Sequence, residues 1–413
     1  MHLRFLVPAN IRHNSGGNVY NARLAQGLRT LGVEVEMLAV DGTWPEADAN
    51  ERRRLGSLLS ARGPGAEYTS GTVTLVDGLI ACGAADELEA AAAAGHPAWV
   101  LLHMPSPSHP DGERRALRAA AGAICTSSSA AAHISERHGL TASRVALPGT
   151  DPAPVAAGSQ PPHIIAVAAL LSNKCQLLTV AALAKLQDLA WTASLIGTVD
   201  ADAAYAAQVR AAVTANGLDR RIRLTGQLAG DALADEWHRA DLSLLVSRAE
   251  AFGLVVTESL ARGIPVIVRE GTGAVEALGL TAGGKGGGED GAQEGGQGEQ
   301  KGGSAAHPAP KDKANALPGT AVVLAGPEHN HPDALATVIR QWLLDSELRG
   351  EWQTAALAAR EQLPGWDSTA RDVLAILETS VLEAPVHKAP VDEATVDGTS
   401  GPMPTATGTV GAQ

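Results

Sequence analysis

Residues 247–268 constrain the fold of this chain most strongly, because they predict a loop, a helix, a turn and a strand in immediate succession. An apolar run just before them predicts a buried strand, and Gly253 marks the start of the helix. Gly263 stands where a left-handed helix cap is expected, and Pro265 cannot continue a helix. This order is typical of an open parallel α/β sheet, which binds ligands where a helix begins at the carboxyl end of a strand.

Two carboxylates bracket the predicted start of that helix. Glu250 lies in the loop before the helix, and Glu258 lies about a turn and a half inside it. Carboxylates repel phosphate, so these two predict hydrogen bonds with hydroxyl groups, such as those of a sugar or a ribose. An isolated pair of glutamates at this spacing is more often a solvated helix surface.

The residues around the two glutamates favour a functional role for the pair over a solvated helix surface. With Ser247, the loop of residues 250–253, Glu258 and residues 263–266 in register, the stretch resembles the E-x7-E signature of the family 4 retaining glycosyltransferases. The resemblance covers most of residues 1–380. It implies an α/β chain with the GT-B fold, in which two Rossmann-like, doubly wound domains face each other across a cleft.

The same resemblance implies an activity. The chain is expected to be a glycosyltransferase of the hexosyltransferase type, which moves a sugar from a nucleoside-diphosphate-sugar donor to an acceptor hydroxyl with retention of configuration. Family members require neither a metal nor a cofactor, and the sequence contains no D-x-D motif suited to a metal. The acceptor stays open between a sugar, a lipid-linked sugar and a small molecule, and the donor base and sugar stay open too.

The overall composition limits the possible binding partners and the cellular location of the protein. The 413-residue chain has a formal net charge of −13, which argues against nucleic acid as a partner. Its three cysteines are far apart and follow neither a disulfide nor a metal-ligand pattern. Neither a signal peptide nor an apolar run of membrane-spanning length is recognisable. We therefore expect a cytoplasmic protein with at most peripheral membrane contact.

The first residues predict a βαβ unit with a glycine pair. A strand over residues 3–7 precedes a loop over residues 8–18 that contains Gly16 and Gly17, and a helix follows over residues 19–31. The pair permits close approach of a ligand to the backbone, although a simple tight turn explains it equally well. In the family, the corresponding loop faces the acceptor and the donor phosphates.

Two polar residues follow predicted strands of the first domain. His103 comes directly after the apolar residues 99–102, where a hydrogen-bonded structural histidine is one explanation. In the family, a histidine at this place faces the donor sugar; His109 is a less well matched competitor. Asp77 ends the strand of residues 72–76 and is either part of a structural turn or an acceptor contact.

The second predicted domain departs from the family at one position. Lys174 matches the family lysine that binds the donor diphosphate, but Ala169 stands where many members have an arginine. An uncompensated loss of that contact would cost about 1.5–3 kcal/mol of binding. Arg248, beside the central stretch, is a candidate for compensation.

The resemblance assigns roles across the cleft. It gives catalytic roles to His103 and Glu250, which hold the donor sugar from opposite domains. It gives nucleotide-sugar binding to a larger set: Gly16, Gly17, Lys174, Phe252, Gly253, Leu254 and Glu258.

Composition shifts predict the domain boundaries. Such shifts predict a disordered Gly-rich insertion over residues 281–315 and a disordered tail over 383–413. With a linker between the two domains, the resemblance implies an acceptor-side domain over residues 1–155, a nucleotide-sugar-binding domain over 161–365 and a helix over 366–382 that packs back on the first domain.

Two alternative functions remain. The first is another GT-B enzyme, such as a sugar-nucleotide epimerase or a phosphorylase. The second is a non-catalytic nucleotide-sugar-binding relative, which the alanine at position 169 and the Gly-rich insertion favour.

Overall fold

A computed structural model describes residues 1–11, 15–60, 72–140, 143–280, 317–324 and 332–383. The predicted insertion over residues 281–315 lies outside these ranges, as does the predicted tail beyond residue 383. Among the described residues, no helix is both long enough and apolar enough to cross a membrane.

The first half of the chain forms a parallel sheet of six strands in the order β2-β1-β3-β4-β5-β6. Its strands are β1 His2–Pro8, β2 Glu34–Val40, β3 Thr72–Asp77, β4 Trp99–Leu102, β5 Gly122–Cys125 and β6 Ser143–Val145. Its helices are α1 Gly16–Thr30, α2 Ala49–Ser60, α3 Gly78–Gly83, α4 Ala85–Ala93, α5 Pro110–Ala119 and α6 Ser128–His138.

The second half forms another parallel sheet of six strands, in the order β12-β11-β10-β7-β8-β9. Its strands are β7 His163–Val167, β8 Thr192–Ile196, β9 Ile222–Gly226, β10 Leu242–Leu245, β11 Val266–Arg269 and β12 Gly319–Val322. The helices are α7 Gln176–Ala184, α8 Ala203–Ala215, α9 Gly230–Arg239, α10 Leu254–Leu260, α11 Ala274–Gly279, α12 Pro332–Leu344, α13 Ser346–Arg360 and α14 Trp366–Glu383, with a 3-10 turn over Ser172–Lys174.

Both sheets are covered by helices on their two faces, which explains the apolar strands. Along β1, Leu3 and Phe5 belong to one core cluster and Leu6 to another on the opposite face. Every residue of β4, β10 and β11 is buried. Strands buried on both faces read as continuous apolar runs rather than as alternating patterns. The structure therefore confirms the predicted α/β class.

The last helix, α14, packs against α1 of the first half of the chain. Val373 and Leu377 share a core cluster with Leu24 and Leu28. Gly27 makes this close approach possible, because a Cβ atom there would lie 2.6 Å from the Cβ of Ala370. Helix α14 thus contributes to the core beneath the first sheet, while the predicted boundaries at residues 155 and 161 stay predictions.

One predicted element boundary is wrong. Helix α1 begins at Gly16, not near residue 19, so the glycine pair occupies its first turn rather than a loop. The hydroxyl of Ser15 accepts a hydrogen bond from the Asn18 N–H at 3.1 Å and caps the helix. A serine cap stabilises a helix start even when glycines follow it.

Candidate functional site

Two adjoining cavities lie between the two halves of the chain. The larger has a volume of about 400 Å³ and the smaller of about 270 Å³. Both lie against the residues that follow the carboxyl ends of the strands, where open α/β sheets bind ligands. The residues that line both are Ser15, Gly16, Lys174, Glu250, Gly253 and Leu254. The two cavities therefore form one continuous cleft.

His103 lines the larger cavity from the first half of the chain. Its Nε2 lies 2.8 Å from Asn21 Oδ1 and 3.4 Å from Asp77 Oδ2. Since both neighbours are acceptors, Nε2 carries a hydrogen. The ring also packs against Gly17, where a Cβ atom would lie 3.1 Å from it, and lies edge-on to Tyr20. His103 is therefore held in one orientation by contacts on several sides.

Asp77 supports His103 from inside the protein. Burial raises the pKa of its carboxyl, but the hydrogen bond and charge of His103, followed by hydrogen bonds from Asn21 and a backbone N–H, bring it below the usual value. Its Oδ1 accepts from the Leu79 N–H at 2.9 Å and caps α3, and its Oδ2 accepts from Asn21 Nδ2 at 2.9 Å. These contacts match the predicted structural turn; because Asp77 also lines the larger cavity, the predicted acceptor contact stays a prediction.

Lys174 and Glu250 meet at the junction of the two cavities. Lys174 Nζ lies 2.5 Å from Glu250 Oε1, and both side chains are largely buried. Lys174 ends the 3-10 turn, and the Arg248 N–H donates to the carbonyl of Asn173 within that turn at 2.8 Å. The loop before α10 and the turn after β7 thus hold each other in place.

Glu258 lines the smaller cavity from within α10. Part of its side chain is open to the cavity, but protein surrounds it, and this burial raises the pKa of the carboxyl. The guanidinium of Arg262 opposes that shift through its charge. Arg262 itself is held in place, because it donates to the Glu258 carbonyl at 2.7 Å and stacks over Trp237.

The start of α10 faces the cleft without a side-chain cap. Gly253 occupies the N-cap position with φ +90°, and a Cβ atom there would lie 2.8 Å from Leu245 Cδ2. Glycine is therefore required for both conformation and space. Leu254 follows it along the cleft, and its Cδ1 would lie 3.6 Å from a Cβ atom placed on Gly16 on the other side. Phe252 also lines the larger cavity, but its side chain packs in the core of the second half.

Two sequence candidates do not reach the cleft. Arg248 is exposed and lines neither cavity, whereas Ala169 lines the smaller one; compensation by Arg248 stays a prediction. His109 lines neither cavity and instead lies 2.9 Å from the Ser108 hydroxyl. Within the described ranges, no group of three or more His, Cys, Asp or Glu side chains is arranged to hold a metal ion.

The sequence analysis missed residues that position the cleft. Asn21 sits in the middle of α1 and fixes His103, yet a lone asparagine on a helix carries no recognisable pattern. Thr126, at the end of β5, donates to the His103 carbonyl at 3.2 Å. For Thr126, the sequence offered one indication: it is a polar residue that directly follows a buried strand.

Comparison with known proteins identifies a domain within the second half of the chain. Residues 150–284 match the family model described as Glycosyl transferases group 1, so this region is a glycosyltransferase domain. This match confirms the predicted enzyme class. No curated protein matches the chain at a significant level.

Solved structures resemble the whole chain. A sucrose-phosphate synthase from Thermosynechococcus elongatus aligns with a TM-score of 0.68 at 16% identity, over 93% of this chain and 100% of that one. A glycosyltransferase from Rickettsia africae ESF-5 aligns with a TM-score of 0.65 at 16% identity, over 93% and 99%. HepE of Anabaena, in complex with UDP and glucose, aligns with a TM-score of 0.63 at 17% identity, over 92% and 100%. These likenesses confirm the predicted GT-B fold.

Proposed function

We propose that this chain, with its group 1 glycosyltransferase domain, is a retaining, metal-independent glycosyltransferase of the family 4 type. It would transfer a sugar from a nucleoside-diphosphate sugar to an acceptor hydroxyl. The observation that carries this proposal is the shared boundary of the two cavities. Lys174 and Glu250 lie on that boundary, Glu258 lies in the smaller cavity, and His103 faces the larger one from the other half of the chain.

The smaller cavity is proposed to bind the nucleotide. Glu258 lines it and would accept hydrogen bonds from ribose hydroxyls. Lys174 and the backbone N–H groups at the start of α10, around Gly253 and Leu254, would offset the charge of the leaving diphosphate. Gly16 lines both cavities from the first turn of α1, and Gly17 follows it beside His103, so the backbone of this turn would approach the phosphate oxygens.

The donor sugar is proposed to lie at the boundary. Glu250 would accept hydrogen bonds from its hydroxyls, and His103 would orient it from the opposite side. His103 suits this role because Asn21 and Asp77 already engage its Nε2, which fixes the ring before the sugar binds. Preorganised groups of this kind stabilise a transition state without reorganising during the reaction.

Transfer is proposed to occur on one face of the sugar. The bond between the anomeric carbon and the diphosphate oxygen breaks while the acceptor oxygen attacks from the same side. The departing phosphate oxygen takes the acceptor proton. A double-displacement route would need a carboxylate nucleophile on the far face. Glu250 is already paired with Lys174, which favours the one-face route that the family resemblance implies.

The partners follow from the same site. HepE structures contain UDP, glucose and UDP-glucose, so a uridine donor is the first to test. The acceptor would enter the larger cavity and is a sugar, a lipid-linked sugar or a small molecule. A cytoplasmic location, with at most peripheral membrane contact, is part of this proposal.

A thermal-shift experiment with UDP, GDP, ADP and dTDP tests the nucleotide site. A ligand at about 100 times its dissociation constant should stabilise the fold by about 2.7 kcal/mol. Lys174→Ala and Glu258→Ala should each remove most of this stabilisation. If no nucleotide stabilises the wild type, the cleft does not bind a nucleotide donor, and a binding-defective or repurposed site replaces this proposal.

Product analysis tests the chemistry. With an active donor and acceptor pair, proton NMR of the first product should show the anomeric configuration of the donor. Turnover should persist in excess EDTA. An inverted product would refute the retaining assignment, and loss of turnover that added metal restores would refute metal independence.

A further inference from the structure

A hydrogen-bonded clamp joins the two halves of the chain beside the cleft. Glu276, in the first turn of α11, accepts hydrogen bonds from two backbone N–H groups in the first turn of α6. Oε1 accepts from Ser128 at 2.9 Å, and Oε2 accepts from Ser129 at 3.0 Å. A carboxylate at a helix amino end is favoured both by these donors and by the helix dipole.

On the first side, the clamped helix is directly connected to the support of His103. Ser127 is the N-cap of α6, and its hydroxyl accepts from the Ala130 N–H at 2.9 Å. The preceding residue, Thr126, donates to the His103 carbonyl. The amino end of α6 and the backbone of His103 therefore move together.

On the second side, the clamp is connected to Glu250. Gly273 immediately precedes α11, and its N–H donates to the Glu250 carbonyl at 2.8 Å. A Cβ atom at Gly273 would lie 1.7 Å from the carbonyl oxygen of Ala251. This contact is too close for any side chain, so α11 and the loop that carries Glu250 form one packed unit.

We propose that Glu276 is a positioning residue that sets the distance between His103 and Glu250. Through its hydrogen bonds to the amino end of α6, it holds the side chains of His103 and Glu250 at the separation that transfer requires. This inference rests on the proposed function, because it assumes that the donor sugar lies between those two residues. Glu276 itself touches neither cavity, so its effect reaches the reaction through α11 and α6.

Glu276→Gln and Ser128→Pro break the clamp from opposite sides. Glutamine keeps the size of Glu276 but removes the charge and one acceptor oxygen. Proline removes the Ser128 N–H at the first helical position, where proline is well tolerated. The preceding residue, Ser127, already has φ −160° and ψ 157°, the extended conformation that proline imposes on its predecessor.

Glu270→Gln and Ser128→Ala are the matched controls. Glu270 is exposed and lies six positions before Glu276, so its variant removes the same charge without touching the clamp. Ser128→Ala keeps the backbone N–H.

The kinetic result should separate positioning from binding. Each clamp variant should lower kcat/KM for the acceptor by about tenfold, the scale of one charge-assisted hydrogen bond. Nucleotide affinity should stay at the wild-type value, as in the controls. The double variant should lose no more than the stronger single variant, because both remove one interaction. Additive losses, or a loss that follows nucleotide affinity, would overturn the proposal.

A distance measurement makes the clamp testable without turnover. Spin labels at Glu136→Cys and Arg210→Cys report the separation of the two halves, since both positions are exposed and the three native cysteines are buried. Without nucleotide, Glu276→Gln should lengthen or broaden the distance distribution, and Glu270→Gln should not. An unchanged distribution would overturn the clamp. Absence of nucleotide binding by the wild type would instead overturn the proposed function.

Discussion

Lys174 Nζ lies 2.5 Å from Glu250 Oε1, so the cation and the carboxylate at the centre of the cleft neutralise each other before any donor binds. Under the proposed roles, the diphosphate would attract the lysine and the sugar hydroxyls would engage the glutamate. Donor binding would therefore have to break this ion pair. The diphosphate competes with Glu250 for Lys174, and the sugar hydroxyls compete with Lys174 for Glu250.

This competition predicts opposite effects of two substitutions on UDP binding. Glu250→Gln releases Lys174 and removes a negative charge near the diphosphate, so it should tighten UDP binding by about fivefold, the scale of about 1 kcal/mol. Lys174→Ala should weaken UDP binding by about 10- to 100-fold. Isothermal titration calorimetry with UDP measures both. Equal weakening by the two variants would mean that the intact pair is what binds the diphosphate.

Position 169 offers a gain-of-binding test. Ala169 lines the smaller cavity and is only half-buried, so a longer side chain has access to the cleft. Ala169→Arg should tighten UDP binding by about 10-fold or more, because it restores a charge-assisted contact. Ala169→Gln adds a polar hydrogen-bonding side chain that is shorter and carries no charge, and it is the control. If the arginine and glutamine variants bind UDP equally, the diphosphate does not approach this position.

The burial of Glu258 predicts that this residue lowers the stability of the fold while it favours nucleotide binding. Burial raises the pKa of its carboxyl, so at neutral pH the folded state bears the cost of a charge that the unfolded state solvates freely. Glu258→Gln resembles the protonated form and should raise the free energy of unfolding by about 1 kcal/mol at pH 7.5, while it weakens nucleotide binding.

Urea unfolding at two pH values checks the sign of this effect. Below pH 4.5, the ordinary value for this carboxyl, wild-type Glu258 is protonated in both states, so the stability difference should disappear. A difference that persists there would mean that packing, and not charge, explains the gain.

His163 predicts an acid-side loss of stability away from the cleft. Burial, followed by the charges of Arg239 and Arg223, lowers the pKa of its imidazole to about 4. Glu236 lies 3.6 Å away and would favour the protonated form, but its charge is already shared by the two arginines.

The sign follows from proton uptake. Between pH 6.5 and about 4 the unfolded chain protonates this imidazole and the folded chain does not, so stability falls as the pH falls, by about 3 kcal/mol in all. His163→Asn, whose side chain does not titrate, should lack this part of the loss in urea unfolding across that range. Parallel curves for the two proteins would refute the shift.

The sequence by itself determined the local structure around the cleft. The β-α alternation predicted both sheets, because apolar runs and glycine or proline breaks act over a few residues. Gly263 does adopt positive φ, at +69°, as its position predicted, and Gly253 marks the start of α10, also with positive φ, at +90°. The start of α1 escaped prediction because the Ser15 cap, a hydrogen bond over three residues, outweighed the low helix propensity of two glycines.

The tertiary structure alone decided which polar side chains act together. Asn21, Asp77 and His103 come from different elements, and the Asn21–His103 hydrogen bond spans 82 positions of the chain. The hydrogen bond from Ser128 to Glu276 spans 148 positions. Such contacts depend on how two sheets pack across a cleft, and no periodicity along the chain encodes that arrangement. The sequence therefore predicted Lys174 and Glu250 as two separate site residues. Only the fold places Lys174 Nζ 2.5 Å from Glu250 Oε1.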